Sequence, residues 1–205
     1  WNILNAIAEG KIESGDEKKL NALKGETMAV IALCQFDLTR CFGYPYTKDN
    51  GASLGAPLID HLVGTYENPS RSTVAQAYDF IIETLEEAVT LMSEEKNNGR
   101  MNKYAARALL ARVYLYHNDN RKAFDMAEQL IKDVDASGSY ALYPHEKYVA
   151  AWSVETKFGS ESFFEIANSV DDTPGRDSWG YLLNWYGYQK GFVTQKYAEQ
   201  MLADP

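Results

Sequence analysis

Several things are scarce in this 205-residue chain, and each scarcity removes a class of function. There are two cysteines, Cys34 and Cys41. Seven positions apart on one predicted helix, their Cα atoms lie about 10.5 Å from each other, beyond the reach of a disulfide. Both are read as buried thiols, not as a bridge or a metal pair. The three histidines, His61, His117 and His145, are scattered without a metal-ligand spacing. His117 closes a predicted helix, where a cationic ring suits the dipole. No Gly-rich phosphate loop, G-x-S-x-G elbow or Cys–His signature occurs, so catalysis, cofactors and metals are not expected. Positive charge is short as well: 20 Lys and Arg face 29 Asp and Glu, a net charge of -9. Phosphate binding needs clustered cations, which excludes nucleic acid as a partner. No apolar run approaches the ~20 residues of a spanning helix. The chain starts at Trp1 and stops at Asp204-Pro205 inside a helical pattern, so it reads as a processed or truncated piece. A missing signal peptide therefore carries no information about location.

What is present is apolar and aromatic. A hydrophobic content of 45% in this length supports a full core, and the rings number fourteen Tyr, eight Phe and four Trp. The organising stretch is 100–134. Ala105, Ala108, Leu109, Ala111 and Leu115 recur at helical spacing in a run of strong helix formers. Asn118, Asp119 and Asn120 interrupt it, and Asp119 or Asn120 can cap the next helix. That helix sets Ala123, Phe124, Ala127, Leu130, Ile131 and Val134 on one face. The unit is a helical hairpin of tetratricopeptide type, with Leu110-Ala111, Tyr114 and Ala123 at the matching offsets of that repeat. The large and small positions near its end, Ala127 and Leu130, are exchanged.

Along the rest of the chain, residues 1–14 read as a helix with Trp1, Ile3, Leu4, Ile7 and Ala8 on its apolar face. Asp16 caps a long helix to about Arg40, carrying a stripe of Leu20, Leu23, Val30, Ile31, Cys34, Leu38 and Cys41 and stopped by Gly43 and Pro45. Residues 44–72 lose all period and form an unusually long irregular connection. Thr73 to Gln76 is a capping box. The helix behind it buries Ala77, Tyr78, Ile81, Ile82, Leu85, Ala88, Val89 and Met92 and turns Glu83, Glu86 and Glu87 outward. After the hairpin, 138–144 is extended or turn-like, 145–157 helical, 161–166 the best strand, and 194–202 a short helix. The expected fold is mostly α: tetratricopeptide-like paired helices, long irregular loops and minor β. Residues 73–136 hold the core repeats, and 168–192 form an irregular, aromatic-rich loop region.

Several segments together resemble the SusD/RagB family of nutrient-binding outer-membrane lipoproteins. Residues 24–46 resemble its helix ending in an aromatic-Gly-x-Pro turn, here Phe42-Gly43-Tyr44-Pro45. Residues 78–88 resemble its next amphipathic helix, 99–116 its most specific helix, and 161–166 the short strand that follows. Order and spacing agree; Val30-Ile31 departs, where members often carry an Arg. The resemblance covers nearly the whole chain but only the N-terminal part of a typical member. It implies a SusD-like α/α superhelix in a surface lipoprotein of a Bacteroidota-type bacterium, held to the outer membrane only through a lipid anchor outside this chain. It implies an oligosaccharide or peptide ligand, a SusC-like TonB-dependent transporter as partner, and no enzymatic activity.

The candidate ligand residues are Trp179, Tyr181, Asn184, Trp185, Tyr186 and Tyr188. Between Trp179 and Phe192 lie six aromatics and three glycines without period. Sugars offer apolar C–H faces that stack on flat rings, while their hydroxyls need directional partners such as Asn184, Gln189, Asp177 and Arg176. The competing reading is that these rings pack beneath the loop as a small core. Glu161 and Glu165 invite comparison with a glycosidase pair, but on a strand they sit about 13 Å apart, too far for hydrolysis; they are read as charges flanking a strand. Asp171, Asp172 and Asp177 lack the spacing of a calcium loop and read as a solvated acidic loop. Two other functions stay open: a tetratricopeptide-type scaffold gripping a protein or peptide, and an all-α glycosidase with opposed carboxylates.

Overall fold

The computed structural model describes residues 1–12, 14–152, 157–167, 175–177, 181, 186–187 and 194–203. The chain divides into two units, Trp1–Glu165 and Ile166–Pro205. The first contains α1 (Asn2–Ala8), α2 (Glu17–Phe42), β1 (Leu54–Pro57), β2 (Arg71–Thr73), α3 (Val74–Leu91), α4 (Lys103–Tyr116), α5 (Asn120–Ser137) and α6 (His145–Ala151). The second contains a 3-10 turn at Gly175–Asp177 and α7 (Gln195–Leu202). The fold is mostly helical, with one small sheet.

Local chemistry sets the helix boundaries. Asp16 accepts the Lys18 and Lys19 amides to start α2, and Asp119 accepts the Lys122 amide to start α5. Thr73 and Gln76 form the expected reciprocal box on α3. Asn118 sits at φ 71 between α4 and α5, a left-handed position that Asn tolerates. The first helix is shorter than expected. It ends at Ala8 because Gly10 turns left-handed at φ +68 and the Lys11 amide reaches back to the Ala6 carbonyl.

The main core lies between α2, α3 and α4, around Phe36, Ile81, Leu85, Leu110 and Val113. Helix α2 presents a different face from the one its large apolar residues suggest. Gly25, Met28, Ala29, Ala32, Gln35, Phe36 and Thr39 are buried, while Val30, Cys34, Leu38 and Cys41 are exposed. The cysteines are thus surface thiols, correcting the expectation of burial. The reason is close helix approach: a Cβ on Gly25 would stand 2.6 Å from Met92 Cγ and 2.9 Å from the Ala88 carbonyl oxygen of α3. Small residues permit that proximity, and larger apolar ones on the same helix are left outside.

Buried Gln35 has a structural task. Its amide donates to the Pro57 carbonyl at 3.1 Å and accepts the Ile59 N–H at 3.2 Å, so one side chain ties β1 and the following loop to α2. Strands β1 and β2 are antiparallel, pairing Leu54 with Thr73 and Pro57 with Arg71 across a bulge. The Arg71 side chain adds bonds to the Leu54 and Gly55 carbonyls. This sheet lies inside the stretch read as wholly irregular. The periodic signal fails there because each strand is too short to alternate visibly, at four and three residues.

The expected strand at 161–166 is absent. Residues 158–165 form an irregular segment held by the Ala141 amide on the Ser160 carbonyl, the Glu165 amide on the Gly99 carbonyl and Lys96 Nζ on the Gly159 carbonyl. Its apolar residues dock instead of pairing. Phe163 packs edge-on against Tyr140 at 4.7 Å, in a second core with Tyr104, Leu130 and Val134. Gly99 has φ +74, and a Cβ there would meet the Phe158 ring at 2.6 Å. A side chain would push this segment away.

On α5, Ala123, Leu130 and Val134 are buried as expected, but Phe124 and Ile131 are exposed. Its packing partner among the helices is α4. One neighbouring helix covers a narrow stripe and leaves the flanks wet.

Candidate functional site

Only part of the expected ligand cluster lies within the described residues. Trp179, Asn184, Trp185 and Tyr188 fall outside them, as do Gln189, Asp171 and Asp172. Tyr181 and Tyr186 are described: Tyr181 is half-buried, and Tyr186 is 90% exposed. The Gly187 backbone lies close against Tyr181, since a Cβ on Gly187 would fall 1.7 Å from the Tyr181 carbonyl oxygen. Only glycine lets the backbone return so closely. Arg176, a possible hydroxyl partner, is exposed on the turn Gly175–Asp177.

The first unit carries exposed rings that the sequence reading did not select. Trp152 is 76% exposed and meets Tyr148 edge-on at 6.1 Å. Tyr66 is 95% exposed on the 58–70 loop. Tyr44 lies beneath Lys48, whose Nζ is 3.0 Å from the ring centroid. For Tyr44 and Tyr66 the available signal was an aromatic close to Gly and Pro, outside any apolar stripe; Tyr148 and Trp152 lay in a stretch read as helix. Such rings can stack on a sugar without large rearrangement.

Other rings are structural. His117 follows α4 as its cap residue and packs against Tyr46 at 4.3 Å and Tyr78 at 5.6 Å. Burial pushes the Tyr78 phenol up to about 12. Tyr114 is also pushed up, by burial first and then by its hydroxyl donating to the Glu86 carboxylate at 2.5 Å.

Glu161 and Glu165 do not flank a strand. Glu165 accepts the Phe158 N–H at 2.8 Å and Glu161 accepts the Tyr143 N–H. Both carboxylates thus fasten loop backbone. Among the described residues no group of His, Cys, Asp and Glu is arranged to hold a metal ion.

A cleft of about 540 Å3 is lined by Lys18, Lys19, Glu26, Asn97 and Arg100 over Met92. Two of its charges satisfy each other, because Arg100 grips Glu26 through Nε at 3.0 Å and through a second, Nη2 contact. A groove of about 610 Å3 is lined by Leu38, Phe42, Ala56, Pro57 and Ile59 beside Arg71. The groove is almost wholly apolar. It suits an apolar side chain better than a hydroxyl-rich ring.

Comparison with known proteins places this geometry. A SusD-like family model, described as starch-binding and associating with the outer membrane, matches residues 2–115. The chain is similar to a solved SusD superfamily protein from Bacteroides vulgatus ATCC 8482, at 96% identity and a TM-score of 0.94, covering 100% of this chain and 46% of that one. A SusD superfamily protein from Bacteroides thetaiotaomicron VPI-5482 matches at 34% identity and a TM-score of 0.86, over 100% of this chain and 45% of that one. A laminarin-binding SusD-like protein matches at 26% identity and a TM-score of 0.54, over 81% and 34%. No curated protein matches. The chain therefore spans less than half the length of these solved relatives. With more than half its residues matched by the family model, and its helices superposing on a solved member along their whole length, the chain belongs to the SusD-like family.

Proposed function

We propose that this chain is the N-terminal helical part of a cell-surface protein that captures oligosaccharide and delivers it to a SusC-like TonB-dependent transporter in the outer membrane. A lipid anchor outside this chain holds the protein there. The observation that carries the reading is Tyr186, a ring 90% exposed, in a chain whose family is described as starch-binding. An exposed ring is open to the C–H faces of a sugar, which are well matched to it. Trp179, Asn184, Trp185 and Tyr188 supply the neighbouring stacking and hydrogen-bonding groups in this reading. The protein binds and does not cleave; Glu161 and Glu165 are engaged with backbone amides.

Titration calorimetry of the full-length protein against soluble glycans, laminarin fragments included, tests the ligand. Binding is expected, and Tyr186→Ala should weaken it by about tenfold, the loss of one stacking contact. Silence across the panel from folded protein would defeat the sugar reading. Purification from detergent-solubilised membranes tests the partner, and recovery without any β-barrel transporter would defeat that part alone.

The apolar groove favours a second reading, in which the ligand is a peptide with an apolar side chain seated against Leu38 and Ile59. In that case Leu38→Asp abolishes peptide binding, and Tyr186→Ala leaves it unchanged.

A further inference from the structure

The 58–70 loop contains neither helix nor strand, yet it is cross-braced by one side chain. His61 Nδ1 lies 2.6 Å from Asp60 Oδ1, and His61 Nε2 lies 2.7 Å from Glu67 Oε1. The other Glu67 oxygen accepts the Gly64 N–H at 3.0 Å, and the Glu67 N–H returns to the Gly64 carbonyl at 3.1 Å. Ring, carboxylate and turn thus form one closed circuit around Leu62, Gly64 and Tyr66.

We propose that His61 is a pH-dependent clasp which, when protonated, pins the turn bearing the exposed Tyr66 ring and, when neutral, lets one end of that turn go. Hydrogen-bond valence separates the two states of the ring. An ionised carboxylate only accepts, whereas a neutral imidazole has one N–H and one lone pair. With a carboxylate at each ring nitrogen, both contacts are hydrogen bonds only in the imidazolium. Loss of the proton leaves a lone pair facing a carboxylate oxygen, and that contact becomes repulsive.

Asp60 and Glu67 are the charged groups that act on the ring, and both belong to its own loop. They hold the imidazole above its ordinary 6.5, Asp60 first and Glu67 second. In turn Asp60 is held low by His61, and Glu67 by the Gly64 amide and then by His61. The sign follows. The clasp is complete below pH 6.5 and is lost as pH rises through the raised value. Tyr66, at 95% exposure, is the side chain whose presentation changes. Nothing in this inference depends on what that ring binds.

Proton and nitrogen NMR of the intact protein from about pH 5 to about pH 8 tests it. The His61 ring should titrate with a midpoint above 6.5. The Gly64 amide shift should follow the same midpoint, and its exchange, corrected for the intrinsic rate, should rise several-fold on the alkaline side. In His61→Ala, an exposed change that leaves the core untouched, the Gly64 amide should lose that pH dependence. A His61 midpoint at or below 6.5 overturns the proposal. So does a Gly64 amide that ignores the titration, or one that still titrates in His61→Ala.

Discussion

Asn102 uses every polar atom of its side chain. Its carbonyl accepts the Ala105 amide to start α4. Its NH2 donates to the Tyr140 hydroxyl at 2.8 Å and to the Glu95 carbonyl at 3.2 Å. The residue is buried, so no water replaces what a truncation removes. Asn102→Ala should cost about 2–3 kcal/mol, a lost cap plus unpaired buried groups, read as a lower urea midpoint at unchanged slope. Tyr78 makes the opposite kind of prediction, silent at neutral pH. Its folded value of about 12 exceeds the ordinary 10.0, so the unfolded chain releases its proton first. The associated stability is intact below pH 10 and disappears as pH rises towards 12. Tyr78→Phe should flatten that alkaline loss in a pH series of thermal melts. At this scale the caps were legible in sequence, since Asp16, Thr73 and Asp119 act through bonds to amides two or three residues away. The docking of Phe163 and the task of Gln35 were not, because their partners lie far along the chain.

Single helices show how far periodicity can be trusted. Leu130 and Ile131 are adjacent on α5 and equally apolar in sequence, yet one is 5% exposed and the other 62%. Leu130→Ala should cost about 2–4 kcal/mol, whereas Ile131→Ser should stay within about 0.5 kcal/mol; paired denaturation curves decide it. The centre of the stripe was read correctly at Ala123, Leu130 and Val134, but its flanks at Phe124 and Ile131 were not, because its width depends on how many neighbours cover it. Helix α2 teaches a sharper lesson. Hydrophobicity favoured Val30, Cys34, Leu38 and Cys41, and the buried face instead runs through Gly25, Ala29, Ala32, Gln35 and Thr39. Contact distance selected that face. At Gly25 a methyl group would meet the Ala88 carbonyl. Residue size along a helix therefore carries information that polarity alone conceals. The strand expected at 161–166 failed for a related reason: Phe163 and Phe164 are apolar because they dock against the core, and among the described residues no strand pairs with them.

For the molecule as a whole, charge supplies the discriminating experiment. The chain carries a net charge of -9, and the cleft lined by Lys18, Lys19 and Arg100 has its arginine paired with Glu26. A neutral glycan held by stacking releases no counterions. Its affinity for the full-length protein should therefore change less than about twofold between ~50 mM and ~200 mM salt, whereas several phosphate contacts would cost orders of magnitude. A steep salt slope would point to an acidic ligand instead. The helical class and the family were legible because capped, periodic segments recur in the right order. The candidate site was legible only as composition, since exposure decides whether a ring is core or platform, and a string of letters does not encode it. One last consequence comes from the two thiols on the outer side of α2. Standing two turns apart on a single rigid rod, Cys34 and Cys41 are held too far from each other to be joined. A maleimide dye on each of these exposed thiols would read out anything that comes to rest along that helix.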